Sequence, residues 1–103
     1  MVIARIWRGV TPRSKSRRYL RYLKATGVKD YRRTPGNLGV TILVRHSGDE
    51  TEFVIISLWK SMNAIKKFAG DDVEKARYYP EDREFLLELE PKVKHYEVAR
   101  ESK

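Results

Sequence analysis

The sequence predicts an α+β fold of the ferredoxin-like type: βαββαβ, with both helices on one face of an antiparallel four-stranded sheet. Three observations carry that expectation. Strand-length apolar runs and two amphipathic helical patterns follow one another in the order strand, helix, strand, strand, helix, strand. The run "FVIISLW", Phe53 to Trp59, has a single polar residue, Ser57, so a strand there wants both of its faces dry. Finally, 103 residues without a cysteine suit one domain, 1–103, with a modest core and neither disulfide nor thiolate metal site.

Val2 to Arg8 is rich in β-branched and aromatic residues and reads as the first strand, with Gly9 at its end. Thr11 can cap a helix that starts at Pro12, where the missing N–H costs nothing. Tyr19, Leu20 and Leu23 form the apolar stripe of that helix, basic residues surround them, and Gly27 reads as its stop. A loop from Lys29 to Leu38 contains the turn signal "TPGN". "VTILVR" (Val40–Arg45) is the second strand, "HSGDE" a hairpin connection, and Glu52–Trp59 the third strand. Ser61 can cap a helix over Met62–Ala69, with Gly70 beyond its end. Asp72 can cap a further helical turn through Val73 and Ala76 that Pro80 ends. "EDREFLLELEP" fits both helix and strand, and "VKHYEVA" (Val93–Ala99) reads as the last strand, before a tail, "RESK", expected to fray.

Two helices cover one face of "FVIISLW", and no remaining segment is long enough to cover the other. A second copy of the chain could close it, or it could serve as a base-stacking platform. A platform needs inner-strand aromatics beside basic residues, whereas "DETEFVIISLW" offers aliphatics preceded by acids. A homodimer is the expectation.

Charge is uneven. Up to Pro35 there are eleven Lys/Arg and one acid, a net of +10; from Gly36 onward eleven face thirteen acids, a net of −2. The basic third reads as a solvated helix face, the alternative being an electrostatic footprint for nucleic acid or an acidic partner. Nucleic acid is not the expected partner. No apolar run approaches the ~20 residues that span a bilayer, and "MVIARIWRGV" lacks signal-peptide character, so a cytoplasmic protein is expected.

Candidate site residues are few. Trp59 suits either a core anchor or a pocket wall with an indole N–H to offer. "KARYYPED" places Arg77, Tyr78 and Tyr79 just before Pro80, where a pocket lid could sit, with hydroxyls and a guanidinium for a phenolate or carboxylate. His95, with Glu97 on the same strand face, could act as general base. Neither histidine has a recognised metal-ligand spacing, and phosphate-loop, dinucleotide and hydrolase motifs are missing.

"IARIWRG" at the start, "FVIISLWKSMNAIKKFAG" in the middle and "VKHYEV" at the end resemble the antibiotic-biosynthesis-monooxygenase superfamily of dimeric α/β barrels over nearly the whole chain. The resemblance implies a homodimer with a small apolar pocket between sheet and helices in each subunit. It also implies oxygenation of an aromatic, phenol-like substrate without metal or flavin, the deprotonated substrate itself reducing dioxygen. Tyr78 and His95 would then serve proton transfer, Arg77 and Tyr79 substrate binding, and Trp59 and Phe68 the pocket walls. A non-catalytic ligand-binding or stress-related barrel is the alternative. The superfamily's haem-degrading branch carries a Trp near the end of the second helix and its haem-ligating His ten residues later. Those positions hold Phe68 and Tyr78 here, and the branch's Asn on the first strand has no obvious counterpart. Tyrosinate can ligate haem iron in other folds, so Tyr78 keeps haem binding or degradation as a lesser alternative, while no cofactor is expected.

Overall fold

A computed structural model describes residues 1–100 of the chain, so the tail assigned to "RESK" falls, apart from Arg100, outside the described residues. Four strands form one antiparallel sheet in the order β2-β3-β1-β4. They are β1 (Ile3–Pro12), β2 (Asn37–Ser47), β3 (Glu50–Trp59) and β4 (Lys94–Glu97). Helices α1 (Ser16–Ala25), α2 (Gly27–Arg33) and α3 (Met62–Ala69) lie against one face, and the short α4 (Asp82–Phe85) follows them. The ferredoxin-like α+β expectation holds. None of the helices among the described residues is long and apolar enough to cross a membrane.

Several boundaries move. β1 runs through Gly9 to Pro12, in register with Phe53 to Glu50 of β3. Gly9 is required for room, because a Cβ there would stand 2.9 Å from Leu86 and closer still to the Trp7 ring. Thr11 is accordingly a buried strand residue and no cap, and a short 3-10 turn, Arg13–Lys15, leads into α1. Gly27 opens α2 where a stop and a loop were expected. The break at Thr26 is stabilised locally, its backbone N–H and hydroxyl both donating to the Tyr22 carbonyl at 3.0 and 2.7 Å. Helix resumes because it buries Tyr31, whose ring stacks on Phe68 with centroids 4.3 Å apart. Ser61 caps α3 as expected, its hydroxyl accepting from Ala64 N–H at 3.2 Å.

Between α3 and β4 the chain is largely irregular. The Asp72 segment makes a turn and no helix, tied by Ala76 N–H to the Pro91 carbonyl and by Val93 N–H to the Glu74 carbonyl. "EDREFLLELEP" resolves into α4 and then an extended stretch in which Leu87 N–H donates to the Val10 carbonyl at 2.9 Å. That contact covers part of the β1 edge that the short β4, paired only with Ile3 to Ile6, leaves free.

β3 alternates as its two-sided character requires. Phe53, Ile55, Ser57 and Trp59 are buried beneath the helices, while Val54, Ile56 and Leu58 are half-buried on the opposite face. In register with these three lie Leu43 and Thr41 of β2 and Ile6 and Ala4 of β1, with Tyr96 of β4 beyond.

Candidate functional site

The helix-covered face encloses a cavity of about 20 Å³, room for roughly one water molecule. Its floor is Trp7 of β1 and Ile55 of β3. Tyr19 and Leu23 of α1, Gly27 and Tyr31 of α2 and Phe68 of α3 form the sides. The last wall is Arg77, Tyr79 and Asp82, from the irregular segment and the start of α4. Helical spacing explains the first set: Tyr19 and Leu23, and likewise Ala64, Ile65 and Phe68, are the buried residues of their helices. Pro80 and the "ED" that follows turn the chain so that Asp82 points inward, where its carboxylate accepts from Tyr79 N–H at 2.6 Å.

Asp82 is nearly fully buried and also accepts from the Tyr19 hydroxyl at 2.8 Å. Burial pushes its carboxyl above the ordinary aspartate value, and those two hydrogen bonds partly oppose the shift. A carboxylate in an apolar, aromatic wall whose proton affinity is raised is a candidate base. Burial, and the neighbouring Asp82 charge, push the Tyr19 phenol well up as well. At the outer end Tyr79 donates its hydroxyl to Asp30, which also pairs with Arg77 Nη2 at 3.3 Å. Burial and then this hydrogen bond raise the Tyr79 phenol. Arg77 donates to the Phe68 carbonyl at 3.0 Å and lies over the rings of Phe68 and Tyr79, 4.9 and 5.2 Å from their centroids.

The sequence-selected residues therefore divide. Phe68, Arg77 and Tyr79 meet at the cavity. Trp59 stands one layer behind, packed on Tyr31 and Phe68, with its indole N–H donating to Ser57 Oγ at 2.9 Å. Tyr78 lies outside: it meets Trp7 edge-on and donates its hydroxyl to the Glu90 carbonyl. His95 is also outside, in an open groove of about 530 Å³ with Met62 and Tyr96, and its Nε2 is 3.1 Å from Arg5 Nη1. Burial and then Arg5 hold its imidazole below the ordinary histidine value, so the neutral ring accepts from the guanidinium.

Sequence reasoning missed Asp82, Asp30, Tyr19 and Tyr31 as site residues, and Arg5 as the anchor of the irregular segment. Arg5 is almost wholly buried on β1, donating to the carbonyls of Val73 at 2.5 Å and Lys75 at 3.2 Å. Its period-2 position with Ile3 and Trp7 was the available signal.

No family model matches the chain, and no curated protein matches it in sequence. Solved structures do match in fold. A Bacillus cereus protein named for the antibiotic biosynthesis monooxygenases superposes with TM-score 0.66 at 15% identity, covering 100% of this chain and 96% of its own. A haem-degrading protein from Mycobacterium tuberculosis, in a haem-free form, gives 0.64 at 18% identity with full coverage of both chains. A cofactor-independent oxygenase from Streptomyces nogalater gives 0.56 at 16% identity over 98% of this chain and 95% of its own. The resemblance read from the sequence thus holds as fold: this is the fold of the antibiotic-biosynthesis-monooxygenase-like proteins.

Proposed function

We propose that the protein is a homodimeric oxygenase of the cofactor-independent kind, taking a small aromatic or phenolic molecule between its sheet and helices. The observation that carries this reading is the aromatic cavity with a buried carboxylate, Asp82, in its wall. At about 20 Å³ the cavity must enlarge to admit a ring, and the wall without helix or strand, held to α2 through Asp30, is the one that would give way. Trp7, Tyr31 and Phe68 then stack the substrate, and Arg77 and Tyr79 hold its polar end. Asp82 takes the phenolic proton, the role first given to Tyr78 and His95, whose polar atoms are engaged outside the cavity. The substrate anion supplies the electrons to dioxygen, so the protein's part is to bind, orient and deprotonate.

Haem does not fit these residues. Phe68 and Tyr78 stand where the haem-degrading pattern has its Trp and His, and no histidine lines the cavity.

The second copy belongs to the same proposal, supported by the half-buried aliphatics Ile6, Val54, Ile56 and Leu58 on the uncovered sheet face. A tight cavity also supports a second reading, a barrel that binds a small ligand without turnover. Oxygen uptake with polycyclic phenols, together with quenching of tryptophan fluorescence, separates the two. Uptake that Asp82→Asn lowers by roughly 100-fold, with quenching retained, is expected for the oxygenase. Quenching without uptake means the binding module, and neither signal removes this cavity as the site.

A further inference from the structure

Helix α1 breaks the rules by which charge stabilises a helix, and does so on one exposed stripe. Arg17, Arg21 and Lys24 lie within a roughly 60° arc opposite the buried Tyr19 and Leu23. Arg17 and Arg21 are an i,i+4 like-charge pair, Arg21 and Lys24 an i,i+3 pair, and each such pair works against the helix. Arg17 and Arg18 also sit in the first turn, where the helix dipole favours acids, and that turn has no acid. Compensation is missing too. No acidic residue precedes Asp30 in the sequence, and among the described residues none of the three cations of the stripe forms an ion pair. The residues of α4 approach α1 on another flank, where the Tyr22 hydroxyl accepts from Glu81 N–H and Arg18 lies over Phe85. A solvated face, as the sequence was read, would gain from mixed charge; this one is uniformly positive at a cost to its own helix.

We infer that the Arg17–Arg21–Lys24 stripe of α1 is a docking surface for the phosphate backbone of double-stranded nucleic acid. Three features favour that partner. The helix's apolar residues are spent in the core, so α1 cannot lie in a membrane interface. Two of the three cations are arginines, whose forked guanidinium matches phosphate. No exposed aromatic stands in the stripe, so contact is with backbone charge and not with stacked single-stranded bases. The surface is separate from the cavity, and this inference does not depend on the proposed reaction.

The test is fluorescence anisotropy of a labelled duplex DNA of about 20 base pairs, titrated with the full chain at several salt concentrations. With three phosphate contacts the affinity should fall roughly 40-fold between about 50 and about 200 mM salt. Arg17→Gln and Arg21→Gln should each lower the logarithmic salt slope by about 0.9, with melting temperatures equal to or above the parent's because repulsion is relieved. Lys66→Gln with Lys67→Gln, on α3, should leave the slope unchanged. Absence of saturable binding at low salt, a salt-independent affinity, or Gln variants that bind like the parent would each overturn the inference. Polyglutamate or phosphatidylserine vesicles displacing the duplex at equal charge would overturn it in favour of an acidic protein or a lipid surface.

Discussion

The two faces of the sheet invert the usual division between wet and dry. The face beneath the helices is dry yet carries Arg5, Thr11, Thr51 and Ser57, all essentially buried. The face without helices is wetter yet carries Ile6, Val54, Ile56 and Leu58. Buried polar groups are ordinarily hydrogen-bonded, and most of the inner ones here are, whereas Arg5 Nε and the Trp7 indole N–H have no partner among the described residues. Arg5 fastens the irregular segment through the Val73 and Lys75 carbonyls, and Ser57 receives the Trp59 indole. The outer aliphatics have no such partners and no comparable network. The two faces divide the labour: the inner face positions groups, and the outer face offers area.

The largest break in that comparison is Trp59→Ala. Removing a fully buried indole that touches Tyr31 and Phe68 should cost about 3–5 kcal/mol, read as a fall in the denaturation midpoint. A loss below about 1 kcal/mol would mean the inner face is loosely packed. Next is Ile56→Asp on the outer face. Because Ile56 is only half-buried, the fold should survive, while for the proposed homodimer the mass by light scattering should fall from twice 12.1 kDa to that of one chain. A parent with the mass of one chain would remove the proposed dimer, and a variant whose mass stays doubled would place its interface elsewhere.

The smallest effect is pH dependence at the inner face. His95 titrates below its ordinary 6.5 in the folded chain, so the unfolded chain takes up the proton first. Its contribution is complete above about pH 6.5 and declines as the pH falls below that towards the folded value. Asp82, raised in the fold, acts in the opposite sense: its penalty is relieved as pH falls through its folded value. His95→Gln keeps an acceptor for Arg5 and should flatten the decline below about pH 6.5 in urea midpoints. An unchanged decline would assign it to another group.

Much of this was legible in the residues. Period-2 burial in "FVIISLW", the Ser61 cap and the two helical stripes are local signals, and the fold followed from their order. What failed was set by distant partners. Gly27 reads as a stop until Tyr31 has Phe68 to stack on, and Gly9 reads as an end until Trp7 and Leu86 crowd it. The site was half visible for the same reason. Arg77 and Tyr79 were picked by residue type and Phe68 through the family resemblance, but Asp82 lay in an ambiguous run, and only the turn after Pro80 aims it inward. Tyr78 and Tyr79 are adjacent and chemically alike, so only the packed chain separates the one in the cavity from the one outside.

Arg5 also bears on how the chain reaches this state. Its hydrogen-bond partners lie 68, 70 and 90 residues further along. β4 closes on β1 across the whole of the intervening fold. Contacts of such separation carry a loop-closure cost, which makes the pairing of β4 with β1 a late event. During synthesis the first strand can pair with β3 well before β4 exists. Until β4 emerges, one edge of β1 stands bare, the interval in which this sheet is most open to mispairing.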